Sequence, residues 1–161
     1  MTGAQRNSGH RSTTTTRRPS AHKIDELVAE LPADSAVAAF ERACAFDSTG
    51  HPDRAVPLYR QALERDLDGE RRRRAVIQLA SSLRNLDQIA ESVDLLTAER
   101  DQPTDRLDDA VSAFLALALV DSGREREAVS VALAALAPHL PRYQRSLANY
   151  AQSLVDEPAS E

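Results

Sequence analysis

The strongest constraint on the fold is an internal repeat with a period of 36 to 37 residues. The turn position of its three units is occupied by Gly50, Asp87 and Gly123. Each unit has a small residue before this turn, then a larger apolar residue, and a small-Val pair after the turn, always at the same offsets. These residues are Ala43, Phe46, Ala55 and Val56 in the first unit, Ala80, Leu83, Ser92 and Val93 in the second, and Ala116, Leu119, Ala128 and Val129 in the third. Self-similarity at such a period indicates a repeat architecture, in which each unit buries its apolar face against its neighbours.

Each unit is predicted to form two helices around a short turn. Apolar residues follow helical spacing, as at Leu79, Leu83 and Leu86. Glycine at positions 50 and 123 suits the left-handed residue that often ends a helix, and aspartate tolerates this conformation better than most residues. The composition agrees, because 4% aromatic residues and 5 glycines argue against a β-sandwich or barrel.

The pattern resembles the tetratricopeptide repeat family over residues 36–137. The matching positions are Ala43, Gly50, Ala55, Tyr59 and Ala62 in the first unit, and Ala116, Gly123, Ala128, Ala132 and Ala135 in the third. The second unit is degenerate, since it has Ser92 and Glu99 where the family has alanine, and no unit has the family's early tryptophan. The resemblance implies an all-α fold of antiparallel helix pairs stacked as a short right-handed α-solenoid with flanking cap helices.

The predicted organisation is a basic Ser/Thr-rich tail, residues 1–22, followed by a single helical domain, residues 23–157. The tail has too little apolar surface to offset the entropy of ordering it, so we expect it to be disordered. Within the domain we expect a helix at 23–31, repeats at 36–66, 73–100 and 109–137, and a cap helix at 141–155 opened by Pro141.

Charge divides along the chain. Residues 1–23 carry five basic residues and no acidic one, whereas the remainder carries 15 basic and all 25 acidic residues. The basic run at residues 71–74 opens a helix, where four consecutive side chains point in four directions and cannot form one patch. An acidic body with this dispersed run argues against nucleic-acid binding.

Cys44 is the single cysteine, which excludes a disulfide framework and favours a reducing compartment. The longest apolar run, residues 110–120, is too short to span a bilayer. We therefore expect a cytoplasmic protein without membrane association. The predominance of arginine over lysine resembles that of proteins encoded by high-GC bacterial genomes.

The sequence contains no recognisable catalytic or metal-binding constellation. The four histidines lack a ligand spacing, and phosphate-loop, nucleophile-elbow and zincin motifs do not occur. We predict a protein that is not an enzyme and that needs neither cofactor nor metal.

The resemblance further implies that the first helix of each unit lines a concave groove that binds peptides. The predicted groove residues are Arg74, Ile77, Ser81, Arg84 and Asn85 in the middle unit, with Phe40 and Leu117 beside them. Arginine can hold a carboxylate or phosphate through two hydrogen bonds, while serine and asparagine orient it. We predict an adaptor or scaffold that binds an acidic peptide or partner segment. The alternative interpretation is that these arginines pair with the chain's own acids.

The segment 110–120 is apolar nearly all round, which predicts a helix covered on every side. The cover could come from the cap helix, from the N-terminal helix around residues 24–31, or from a second protomer. The alternative function is therefore a self-associating structural or regulatory subunit that uses the apolar groove as an oligomer interface.

Overall fold

The computed structural model describes residues 32, 34–103 and 105–156, so the predicted tail and the predicted helix at 23–31 lie outside the described residues. The described part is all-helical, with seven α-helices and one 3₁₀ turn. The elements are α1 (Ala36–Ser48), α2 (Pro52–Glu64), α3 (Gly69–Asn85), α4 (Ile89–Arg100), α5 (Asp108–Asp121), α6 (Glu125–Leu136), the 3₁₀ turn (Ala137–His139) and α7 (Gln144–Asp156). Each α-helix packs on the next, and α3 also lies against both α1 and α5. The predicted fold of stacked helix pairs is confirmed.

The three predicted turns share one backbone geometry. The φ angle is +80° at Gly50, +59° at Asp87 and +76° at Gly123. In each turn the N–H of the next residue donates a hydrogen bond of 2.9 Å to the carbonyl oxygen five positions earlier. These bonds satisfy a carbonyl that the end of the helix leaves without a partner. The prediction that Asp87 replaces glycine in a left-handed turn is confirmed.

The core consists of two apolar clusters, each formed between neighbouring units. Phe40 and Tyr59 are fully buried in the first cluster, and Leu96 and Leu115 are buried in the second. Alanines fill the closest helix contacts, as the repeat predicts, and those with no exposed surface include Ala43, Ala55, Ala62, Ala75, Ala80 and Ala118.

The chain reverses direction between α6 and α7 in a way that the cap-helix prediction did not anticipate. Helix α7 begins at Gln144 and not at Pro141, and the preceding Tyr143 has a φ of +71°. The Gln144 side-chain amide donates hydrogen bonds of 2.9 Å to the carbonyl oxygens of Pro138 and Leu140. These contacts fix the start of α7.

Helix α7 does not continue the stack of first helices. Cα atoms of α3 lie within 8 Å of both α1 and α5, but no Cα atom of α7 lies within that distance of α5. Ser130 on α6 is buried, although its equivalents Pro57 and Asp94 in the other units are exposed. Helix α7 therefore covers the outer side of α6. Tyr143, just before α7, and Tyr150, on α7, are 74% and 70% exposed.

The left-handed turns should be sensitive to side-chain type. No atom lies within 4 Å of a Cβ built on Gly123, so the cost of Gly123→Ala comes from the backbone conformation. We expect Gly123→Ala to lower the free energy of unfolding by about 1–2 kcal/mol, measured by urea unfolding. Gly123→Asn should cost less, because asparagine enters the left-handed region more readily. Equal losses for the two variants would show that backbone conformation does not limit this turn.

Candidate binding groove

A polar stripe runs along α3, the middle of the three first helices that were predicted to line a groove. Arg74, Gln78, Ser81 and Asn85 follow one another at intervals of four, three and four residues, which places them on one helix face. Arg74 and Asn85 are exposed, and Gln78 and Ser81 are half-buried. Gln78 was missed from the sequence, although its position four residues after Arg74 was a sufficient signal.

The hydrogen-bond donors of the Arg74 guanidinium are available for a ligand. Its guanidinium carbon lies 5.4 Å from the centre of the Phe40 ring, a distance typical of a cation–π contact. No described carboxylate lies within ion-pair distance of Arg74. The ring thus orients the guanidinium while its donors stay available for a ligand.

The Arg84 side chain already forms an ion pair within the chain. Its Nε donates to the carboxylate of Asp121 at the end of α5. This pairing is the alternative that we raised for the groove arginines, and it links the second and third units.

The remaining predicted groove residues divide between surface and core. Ser81 and Asn85 accompany Arg74 on the groove surface, and Leu117 is exposed on α5. Phe40 and Ile77 lie in the core, with exposed fractions of 0% and 5%. They support the groove from beneath and present almost no surface to a ligand.

A buried polar network joins α1 to α2 and α3 beneath the groove. The Asp47 carboxylate accepts hydrogen bonds from the Tyr59 hydroxyl at 3.3 Å and from the Ser82 hydroxyl at 3.1 Å. The Cys44 thiol donates to the Gln78 side-chain oxygen at 3.4 Å. Burial raises the pKa of the Cys44 thiol. Burial, and then the neighbouring Cys44 and Asp47, raise the pKa of the Tyr59 hydroxyl far above its usual range. Both groups are therefore held in their neutral forms.

Two of the four arginines in the basic run at the start of α3, Arg72 and Arg73, form ion pairs. Arg73 is 4% exposed and donates to Asp108 at 2.6 Å and to the carbonyl oxygen of Pro103 at 2.9 Å. Arg72 donates to Glu99 at 2.8 and 2.9 Å. The run therefore fastens helices together, in agreement with the prediction that it forms no single basic patch.

Glu99 explains how the degenerate second unit still packs. The family pattern has alanine at this position, whereas Glu99 is 2% exposed and lies 3.7 Å from the Nε of Arg73. The other irregular residue, Ser92, is fully buried and donates to the carbonyl oxygen of Ala80 at 2.8 Å. Hydrogen bonds and ion pairs thus replace the alanine contacts of the other units.

Searches for other kinds of site gave negative results within the described ranges. Among these residues, no group of three or more His, Cys, Asp or Glu side chains is placed to hold a metal ion. No helix in the described part of the chain is both long enough and apolar enough to cross a membrane.

Comparison with known proteins agrees with the fold. A family model described as "Tetratrico peptide repeat" matches residues 36–154, which is most of the chain. The chain belongs to the tetratricopeptide repeat family. Searches of curated proteins and of solved structures gave no match. Membership indicates a protein–protein interaction module, since the family generally provides non-catalytic scaffolds.

The buried ion cluster should contribute strongly to stability. We expect Arg73→Met to lower the free energy of unfolding by about 3 kcal/mol, because it removes the donors to Asp108 and Pro103 and one of the two cations beside the buried Glu99 carboxylate. Adding Glu99→Ala, which restores the family's small residue, should recover part of this loss. Urea unfolding of the single and double variants measures both effects.

Arg106→Met provides the matched control for Arg73→Met. Arg106 also pairs with an acid, Glu70, but its side chain is 75% exposed, so its loss should cost less than about 1 kcal/mol. A loss as large as that of Arg73→Met would contradict the assignment of stability to the buried cluster.

The raised pKa of Tyr59 predicts weaker folding in alkali. The folded protein holds the phenol proton more tightly than the unfolded chain does, so stability is lost as pH rises above the ordinary tyrosine value of 10.0. Tyr59→Phe should flatten this decline in urea unfolding followed against pH. Tyr150→Phe, at an exposed tyrosine on α7, is the matched control and should leave the slope unchanged. An unaltered slope in Tyr59→Phe would refute the prediction.

Proposed function

We propose that this protein is an adaptor that binds a partner's peptide segment along the groove formed by α1, α3 and α5. The observation that supports the proposal is the polar stripe on α3, and above all the exposed Arg74 with its unpaired guanidinium. Arginine presents a planar fork of donors that fits a carboxylate or phosphate oxygen pair. An acidic side chain of the bound segment would occupy this position.

The surroundings of Arg74 favour one direction for the acidic group. A cavity of about 420 Å³ at the start of α3 is lined by Arg74 and Arg71 together with the carboxylates of Glu41, Asp68 and Glu70. These carboxylates would repel an acidic ligand group placed on that side. The ligand's acid would therefore contact Arg74 from the side of Ser81.

Apart from Arg74, the groove offers hydrogen bonds and apolar contact. Ser81 and Asn85 carry side-chain donors and acceptors that can bond the backbone of an extended segment. Leu117 on α5 is 47% exposed and can accept an apolar side chain of the same segment. The expected ligand thus combines an acidic residue with an apolar one.

Selection from a random peptide library, with the immobilised full chain as target, tests this proposal. We expect enrichment of peptides that contain Asp or Glu together with an apolar residue. Arg74→Glu should weaken their binding at least about tenfold in calorimetric titration, because a hydrogen bond to a charged group contributes about 1.5–3 kcal/mol.

Arg145→Glu is the matched control. It makes the same change of charge at an exposed position on α7, outside the groove, and it should leave affinity nearly unchanged. Peptides without acidic residues, or equal affinity for wild type and Arg74→Glu, would contradict the proposed role of Arg74.

A further inference from the structure

The third unit exposes four large apolar side chains at the end of the stack. Leu117 and Val120 on α5 and Val129 and Leu136 on α6 have exposed fractions of 47%, 48%, 47% and 47%. No described segment covers them, although α5 was predicted to be covered on every side. We call these four residues the end face. Small soluble monomers seldom expose several large apolar side chains together.

The first two units show what normally covers such a face. Val56 and Val93, the equivalents of Val129, are 6% and 7% exposed, because each packs on the first helix of the following unit. On the first helices, Cys44 is equivalent to Leu117, and its thiol contacts Gln78 on α3. The end face therefore has the position and chemistry of a surface that another helix pair covers.

Helix α7 does not supply this cover. It packs on the outer side of α6, where Arg126 Nε donates to the Leu154 carbonyl oxygen at 3.2 Å. It buries Ser130 and leaves Val129 exposed.

We propose that the end face binds the end face of a second copy of this chain, in a two-fold symmetric dimer. The end face shares Leu117 with the proposed groove, so the test relies on Val129 and Leu136, which lie on α6 outside the groove. All four residues of the face are aliphatic, so two copies of the face can bury apolar surface against each other, as a two-fold interface between identical patches requires. Of the charged residues at its border, Asp121 pairs with Arg84, and Arg124 pairs with Glu127 at 2.7 Å. Glu125, one turn before Val129 on α6, is exposed, so the two copies must meet with their Glu125 side chains apart.

A head-to-tail arrangement of copies does not fit the opposite end of the stack. There the end face would have to meet α1, as the first and second units meet α3 and α5. At the position of Leu79 and Leu115, which are 2% and 1% exposed, α1 carries Arg42. Ala38 on the same side of α1 is 5% exposed and offers almost no surface. The first unit thus lacks an apolar partner surface, and pairing between identical end faces closes the assembly.

Sedimentation of the full chain over a wide concentration range tests the proposal. We expect a concentration-dependent species of about twice the 17.6 kDa of one chain. Val129→Glu should raise the dissociation constant at least about a hundredfold, because it places an unpaired charge in an apolar interface. Leu136→Glu should do the same from the far end of α6. Circular dichroism checks that both variants keep the helical fold, as expected for half-exposed positions.

Val155→Glu is the matched control. Val155 is 45% exposed on α7, outside the end face, and its replacement should leave the dimer intact. A wild-type chain that stays monomeric at the highest concentration overturns the proposal and leaves the end face to a different protein. A dimer that resists both Val129→Glu and Leu136→Glu, or one that Val155→Glu disrupts equally, also overturns it.

Discussion

The arrangement of the helices depends on the buried ion cluster around Arg73. The second unit has Glu99 at a position where the first and third have alanine, and a buried carboxylate without compensation would be costly. Arg72 and Arg73 at the start of α3 supply that compensation, and Arg73 also binds Asp108 at the start of α5. The cluster therefore joins the two helices that form the centre and one side of the groove.

The repeat predicted most of the fold because its signals are local. A left-handed residue at a helix end depends on the residue itself and on the few positions around it. The shared φ of Gly50, Asp87 and Gly123 could therefore be predicted even where glycine is absent. The partners of Arg72 and Arg73 could not be predicted from the sequence, because they lie 26 or more positions away along the chain. The irregular Glu99 was nevertheless a clue that the second unit needs a buried cation.

The exposed positions of the first helices were harder to predict than the helices themselves. Successive positions on a helix differ by about 100° in direction, so a small error in register exchanges surface for core. This is why Phe40 and Ile77 lie in the core, while Gln78, one position further, reaches the groove. The placement of α7 was beyond prediction for a related reason. Its amphipathic pattern shows that one face is buried, but periodicity does not show which side of α6 receives it.

Polar contacts join α3 to α5 near both ends of these helices, and Ser82 joins α3 to α1 near one end. At one end, Arg73 binds Asp108 and Arg106 binds Glu70; at the other, Arg84 binds Asp121 and Ser82 binds Asp47. Helices that contact each other only through apolar side chains in their middle could change their relative angle. Contacts at both ends of α3 and α5 restrict that freedom between the second and third units. A ligand that binds across α3 and α5 would therefore lose less of its binding free energy to ordering these two helices.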